Sequence, residues 1–114
     1  MKICRISAEW TSNPAYQFVV ICGINDDDLA VKDQEWYGCA KESSGGRYPF
    51  YVDARSGLFC YGQGDISPEN TDLFRDVIVA VGSTFQLRCQ NENDGFYERK
   101  YRIFNIDVLG QEFT

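Results

Sequence analysis

The chain has 114 residues, 44% of them hydrophobic and 15% aromatic, which suits one domain with a single core and is too apolar for a disordered chain. Its 11 basic and 17 acidic residues leave a formal net charge of -6, a balance that argues against direct nucleic-acid binding, which rewards clustered Lys and Arg. There is no histidine, which removes Ser-His-Asp and Cys-His nucleophile systems, histidine general-base catalysis and nearly every common catalytic zinc site.

Cys4, Ile6, Ala8 and Trp10 alternate with Arg5, Ser7 and Glu9, the period of a strand with one wet face. Thr11 to Pro14 is turn-forming. Tyr16 to Ile24 is an almost unbroken apolar run, rich in β-branched and aromatic residues, and predicts a central strand buried on both faces. It ends at Asn25-Asp26-Asp27-Asp28. Between Leu29 and Ala40 the pattern is mixed, with Trp36 and Tyr37 carrying most of the apolar surface, and Lys41 to Gly46 reads as a loop. Arg47 to Ala54 and Leu58 to Tyr61 are aromatic-rich stretches joined by Arg55-Ser56-Gly57, the signature of a hairpin.

Ser67-Pro68-Glu69 has the order of a helix start, with serine as N-cap, proline at the first helical position and an acid in the first turn. Leu73, Phe74, Val77 and Ile78 then recur at helical spacing. The reading is a helix from Pro68 to Arg75, followed by a β-branched strand from Val77 to Val81 and a turn at Gly82-Ser83. Phe85, Leu87 and Cys89 alternate with Gln86 and Arg88, and Gln90 to Gly95 turns the chain into a long return strand from Phe96 to Leu109. In that strand Tyr97, Tyr101 and Ile103 share one face and Phe104, Ile106 and Val108 the other. The change of phase predicts a β-bulge or a strand passing between sheets. The expected fold is therefore mainly β: a single-domain antiparallel barrel or sandwich over residues 1–114, with one short helix near Pro68 to Arg75.

Cys4, Cys22, Cys39, Cys60 and Cys89 are odd in number and widely spaced, which predicts reduced thiols used as small hydrophobes rather than a disulfide framework. Charges interrupt every short apolar stretch at the N-terminus, and the longest apolar run, Phe18 to Cys22, falls far short of a membrane span. The chain reads as cytoplasmic.

Asn25 to Asp28 lacks the alternating ligands, central glycine and bidentate glutamate of an EF-hand loop and reads as a solvated turn. Gly62-Gln63-Gly64 and Ser43 to Gly46 match no phosphate-binding pattern. No cofactor is implied. Two acidic segments stand out: Asp26, Asp27, Asp28, Asp33 and Glu35 in one, and Asp65, Glu69, Asp72 and Asp76 in the other. Side by side they form a negative face able to steer a basic partner. Arg47-Tyr48-Pro49-Phe50-Tyr51, with Phe59 and Tyr61 on the partner strand, supplies aromatic anchors for an interface or a small-ligand pocket. Arg99-Lys100-Tyr101-Arg102 is the one basic cluster, and Asp94 and Glu98 flank it.

These features point to a non-enzymatic, acidic binding protein that inhibits by occupying a basic surface of a protein partner, as bacterial immunity proteins and phage-encoded anti-defence inhibitors do. The expected binding residues are Asp26, Asp27, Asp28, Asp65, Glu69, Asp72 and Asp76, with Tyr48, Phe50 and Tyr61 as anchors. The alternatives are a β-barrel module binding a small molecule in an aromatic-lined pocket and a structural subunit of a larger assembly.

Overall fold

A computed structural model describes residues 1–31, 34–53, 58–61, 66–73, 77–91 and 95–111, with backbone alone at 66–69, 90–91 and 95–96. Among the described residues the alternating segments form eight strands: β1 (Lys2–Trp10), β2 (Asn13–Ile24), β3 (Trp36–Lys41), β4 (Arg47–Val52), β5 (Leu58–Cys60), β6 (Ile66–Thr71), β7 (Thr84–Asn91) and β8 (Gly95–Gln111). Each pairs antiparallel with its neighbour in sequence, and β1 also pairs with β8. The result is a closed up-and-down barrel.

The inward positions fill the barrel in layers. At mid-height the ring of Phe18 lies 5.2 Å from Phe50, 5.8 Å from Phe59, 5.7 Å from Phe85 and 6.0 Å from Tyr101. Small residues make room for these rings: Ala8 and Ala40 stand opposite Phe18, and Gly38 stands opposite Phe50. Below this layer Ile6, Val20, Val52, Trp36, Leu73 and Ile103 are fully buried. Two connections then seal that end of the barrel. The β2–β3 connection buries Ala30, the β6–β7 connection buries Leu73 and Val79, and the Val79 N–H donates to the Asp28 carbonyl at 2.8 Å. The opposite end, where the β1–β2, β3–β4, β5–β6 and β7–β8 hairpins turn, has no such plug among the described residues.

Of the two expected architectures the chain adopts the barrel, and the phase change in the last strand is a bulge. Ser7 faces Asn105 while Ala8 faces Ile103, so Phe104 is the extra residue. It turns outward and Ile103 and Ile106 both keep facing the core. A second register shift lies between Ile3 and Cys4. Together they let a 17-residue strand coil along the β1–β8 seam.

Four local expectations are corrected. β2 is not buried on both faces: Phe18, Val20 and Cys22 point inward, whereas Ile21 is 39% exposed on the outer wall, because no second layer covers a barrel's outside. It also begins at Asn13, so Asn13 and Pro14 belong to the strand and not to the turn. The helix expected at Pro68 to Arg75 does not form over the described residues. Ile66–Thr71 is a strand instead, pairing Cys60 with Ile66 and Leu58 with Asn70 on one side, and Asn70 with Arg88 and Thr71 with Leu87 on the other. Closing the barrel requires a strand between β5 and β7, and that pairing outweighs a local N-cap signal. Pro68, which has no N–H to give, falls in the bulged part of the β5–β6 ladder where none is required. Phe74 and Arg75 lie outside the described residues. Val77 to Val81 is likewise not a strand but an irregular segment that turns at Gly82, whose φ of 95° suits glycine.

Candidate functional site

At the opposite end of the barrel the described residues form a cup. Its cavity of about 520 Å³ is lined by Tyr16, Ala40, Lys41, Glu42, Tyr48, Tyr61, Leu87, Tyr97, Arg99 and Tyr101. Five of the chain's seven tyrosines are in this lining. The reason is local: Tyr16, Tyr48, Tyr97 and Tyr101 sit on the inward faces of strands and Tyr61 directly follows β5, at or beyond the Phe18 layer, where the barrel widens into solvent. A ring placed there buries one side and keeps its hydroxyl within reach of water or a ligand. The floor is rigid aromatic packing, with Phe50 and Phe59 4.8 Å apart and Tyr61 5.9 Å from Phe50.

Arg99 is the unusual member. It follows Tyr97 and precedes Tyr101 at the two-residue period of β8, opposite Leu87, so it belongs to the inward face. Its guanidinium carbon lies 4.8 Å from the Trp10 ring centre, 5.0 Å from Tyr16 and 4.6 Å from Tyr97, a three-ring cation–π box. Trp10 and Tyr16 brace each other edge to face at 5.4 Å. The outward charges of the same hairpin are used differently: Arg88 pairs with Glu98 across the ladder at 3.3 Å.

The expected binding residues separate into two ends. Asp26, Asp27 and Asp28 are exposed at the sealed end, in a turn built by Asn25, whose Oδ1 accepts the N–H groups of Asp27 at 2.9 Å and Leu29 at 3.0 Å. Asp28 adopts a φ of 59° there, a left-handed conformation that Asp and Asn tolerate. Asp72 is at the same end, and its carboxylate accepts the Gln86 N–H at 2.7 Å. Asp65 and Asp76 lie outside the described residues, and Glu69 is described by its backbone alone. Tyr48 and Tyr61 line the cup at the other end. Phe50 is 5% exposed and belongs to the core, where it offers nothing to a partner's surface.

Tyr16, Tyr97, Arg99 and Tyr101 were not among the expected site residues. Their signal is present in the sequence as a charged residue inside an inward-facing aromatic alternation, Tyr97-Glu98-Arg99-Lys100-Tyr101. Reading Arg99 as part of a basic run hides it. Among the described residues no three Cys, Asp or Glu side chains converge as a metal site would require, and no helix is long and apolar enough to cross a membrane. Comparison with protein-family models, with curated proteins and with solved structures finds no match.

Proposed function

We propose that the chain is a small-molecule-binding barrel whose ligand sits in the tyrosine-lined cup. The observation that carries this reading is a concave site of about 520 Å³, within the range of roughly 300–1,000 Å³ usual for ligand sites, lined by aromatic rings with a few polar groups and floored by packed aromatics. The mouth of a small barrel is a favoured place for such a site. The role is binding without turnover, in keeping with a chain that has no histidine.

The test is equilibrium dialysis of the purified protein against a metabolite extract of its host, with retained compounds identified by mass spectrometry. Wild-type protein is expected to enrich a compound that Tyr48→Ala and Tyr97→Ala release, and Trp10 at the rim of the cup should report its binding through intrinsic fluorescence. Identical retention by wild type and both variants would sink the proposal.

A second reading has one observation in its favour. The hydrogen bond from Val79 to Asp28 brings the β6–β7 connection, which carries Asp72, against the Asp26 to Asp28 turn. The sealed end therefore gathers acids that would steer a basic protein surface, as an inhibitor of the immunity or anti-defence kind requires.

A further inference from the structure

We propose that the cup takes a planar organic monoanion, an aromatic or conjugated ring bearing one oxyanion group, with the oxyanion held by Arg99 and the ring laid against the tyrosines. This inference rests on the small-molecule reading and names the class of ligand.

Arg99 is half-buried on the inward face, where a charge is partly withdrawn from water and gains from an answering group. The Trp10, Tyr16 and Tyr97 rings surround the guanidinium carbon at 4.6 to 5.0 Å. A ring satisfies little of a guanidinium's donor capacity, and its five N–H donors lie in one plane, a fork that fits a carboxylate, phosphodiester or sulfonate. The ion pairs among the described residues are elsewhere, between Arg5 and Asp107 and between Arg88 and Glu98. The lining thus holds a cation packed among three rings and, among the described residues, in no ion pair with a carboxylate, able to engage an oxyanion by charge-assisted hydrogen bonds.

The charge of the lining sets the charge of the ligand. Among the described residues of the lining, Lys41 and Arg99 stand against Glu42, a surplus of one positive charge, which a monoanion neutralises and a polyphosphate would exceed. The lining's other polar groups are tyrosine hydroxyls on flat rings, which stack against a planar body and hydrogen-bond its rim.

Two fluorescent probes separate the anion from the ring: anilinonaphthalene sulfonate, a planar monoanion, and the neutral phenylnaphthylamine. Both are titrated into wild type, Arg99→Met, Arg99→Lys and Tyr97→Ala, each shown by circular dichroism to melt cooperatively. Arg99→Met should weaken the anionic dye by roughly ten- to a hundredfold, the range for a lost hydrogen bond to a charged group, and leave the neutral dye nearly unchanged. Arg99→Lys keeps the charge and loses the planar fork, so the anionic dye should fall to an intermediate affinity. If Arg99→Met fails to fold, Arg99→Lys alone decides: wild-type affinity for the anionic dye in that variant overturns the proposal.

If Arg99→Met leaves the anionic dye unaffected while Tyr97→Ala weakens both dyes, the cup binds small molecules but the anion assignment is wrong. If neither dye binds wild type, both readings fall. Competition against the anionic dye by indole acetate and by cyclic adenosine monophosphate then identifies the source of the oxyanion, carboxylate or phosphodiester. Displacement by neither at millimolar concentration overturns the assignment.

Discussion

The cysteines of this barrel have two fates, set by how far each thiol is covered. All five are thiols. Cys4 and Cys22 face each other across the β1–β2 ladder on the inside, Cys60 and Cys89 are also buried, and Cys39 is half-buried on β3 with its thiol directed to the Ala40 carbonyl at 3.6 Å. A thiol reagent applied to native protein is expected to modify Cys39 first and the other four only as the barrel opens, which peptide mapping by mass spectrometry checks. Simultaneous labelling of Cys22 and Cys39 would contradict the inward packing. Burial, with a smaller contribution from Cys4, pushes the Cys22 thiol from its ordinary value near 9 up to about 12. The folded state therefore holds this proton more tightly than the unfolded chain. Its stabilising effect is complete below pH 9 and is lost as pH rises toward 12, at about 1.4 kcal/mol per pH unit. Tyr37 is raised by its hydrogen bond to Glu35, and Tyr51 by its hydrogen bond to Cys60, so both act with the same sign. Denaturant titrations between pH 8 and 11 should show a steeper loss of stability for wild type than for Cys22→Ala, an estimate that follows from the linkage relation. Equal slopes would mean that Cys22 is not desolvated.

At the scale of the element, β3 and β4 show how a flat ring fits inside a small barrel. Gly38 lies opposite Phe50. A Cβ there would meet the Phe50 ring at 2.7 Å and would collide with the Val19 carbonyl, a backbone atom that cannot swing aside. Gly38→Ala should destabilise the protein by about 1–3 kcal/mol, the range for overpacking a well-filled core, and should lower the midpoint of urea unfolding without changing its slope. A variant as stable as wild type would show that β3 and β4 can separate at this point. The replacement of the expected helix by β6 belongs to the same scale. A serine–proline–acid start is a preference of a few tenths to about 2 kcal/mol, and a missing strand would expose the ladders of both β5 and β7.

Across the whole molecule, binding groups are sorted to opposite ends. The cup holds Tyr16, Tyr48, Tyr61, Tyr97 and Arg99, and the sealed end holds the exposed acids of the Asp26 to Asp28 turn. The packed Phe18 layer and the plug of Leu73, Val79 and Trp36 separate them. The two proposed functions are therefore independent, and one variant tells them apart. Asp26→Asn, Asp27→Asn and Asp28→Asn combined should leave dye affinity in the cup unchanged, because screening over about 8 Å at physiological ionic strength shields charges a barrel's length away. The same triple variant should slow association with a basic protein partner, and reduce the salt dependence of that rate, only if the sealed end is an interface. An unchanged association rate with such a partner would remove the acidic-face reading and leave the cup.

Local alternation made much of this legible from the sequence alone. β1, the β4–β5 hairpin, β7 and β8 were readable because each side chain's direction in a strand follows from its neighbours two residues away. The bulge at Phe104 was readable because it shifts that alternation by one place. Asn25 to Asp28 was readable as a turn because Asn25 makes its hydrogen bonds locally, to Asp27, Asp28 and Leu29. The tertiary structure alone decided that β1 meets β8, that residues 66–71 extend rather than coil, and that two connections plug one barrel end while the described residues of the other line a cup. Those outcomes rest on pairings and contacts between residues as far apart as Lys2 and Gln111. The cup escaped for the same reason. An inward tyrosine at a strand end has the same local pattern as one in the core, and what separates them is whether a distant connection folds over that end.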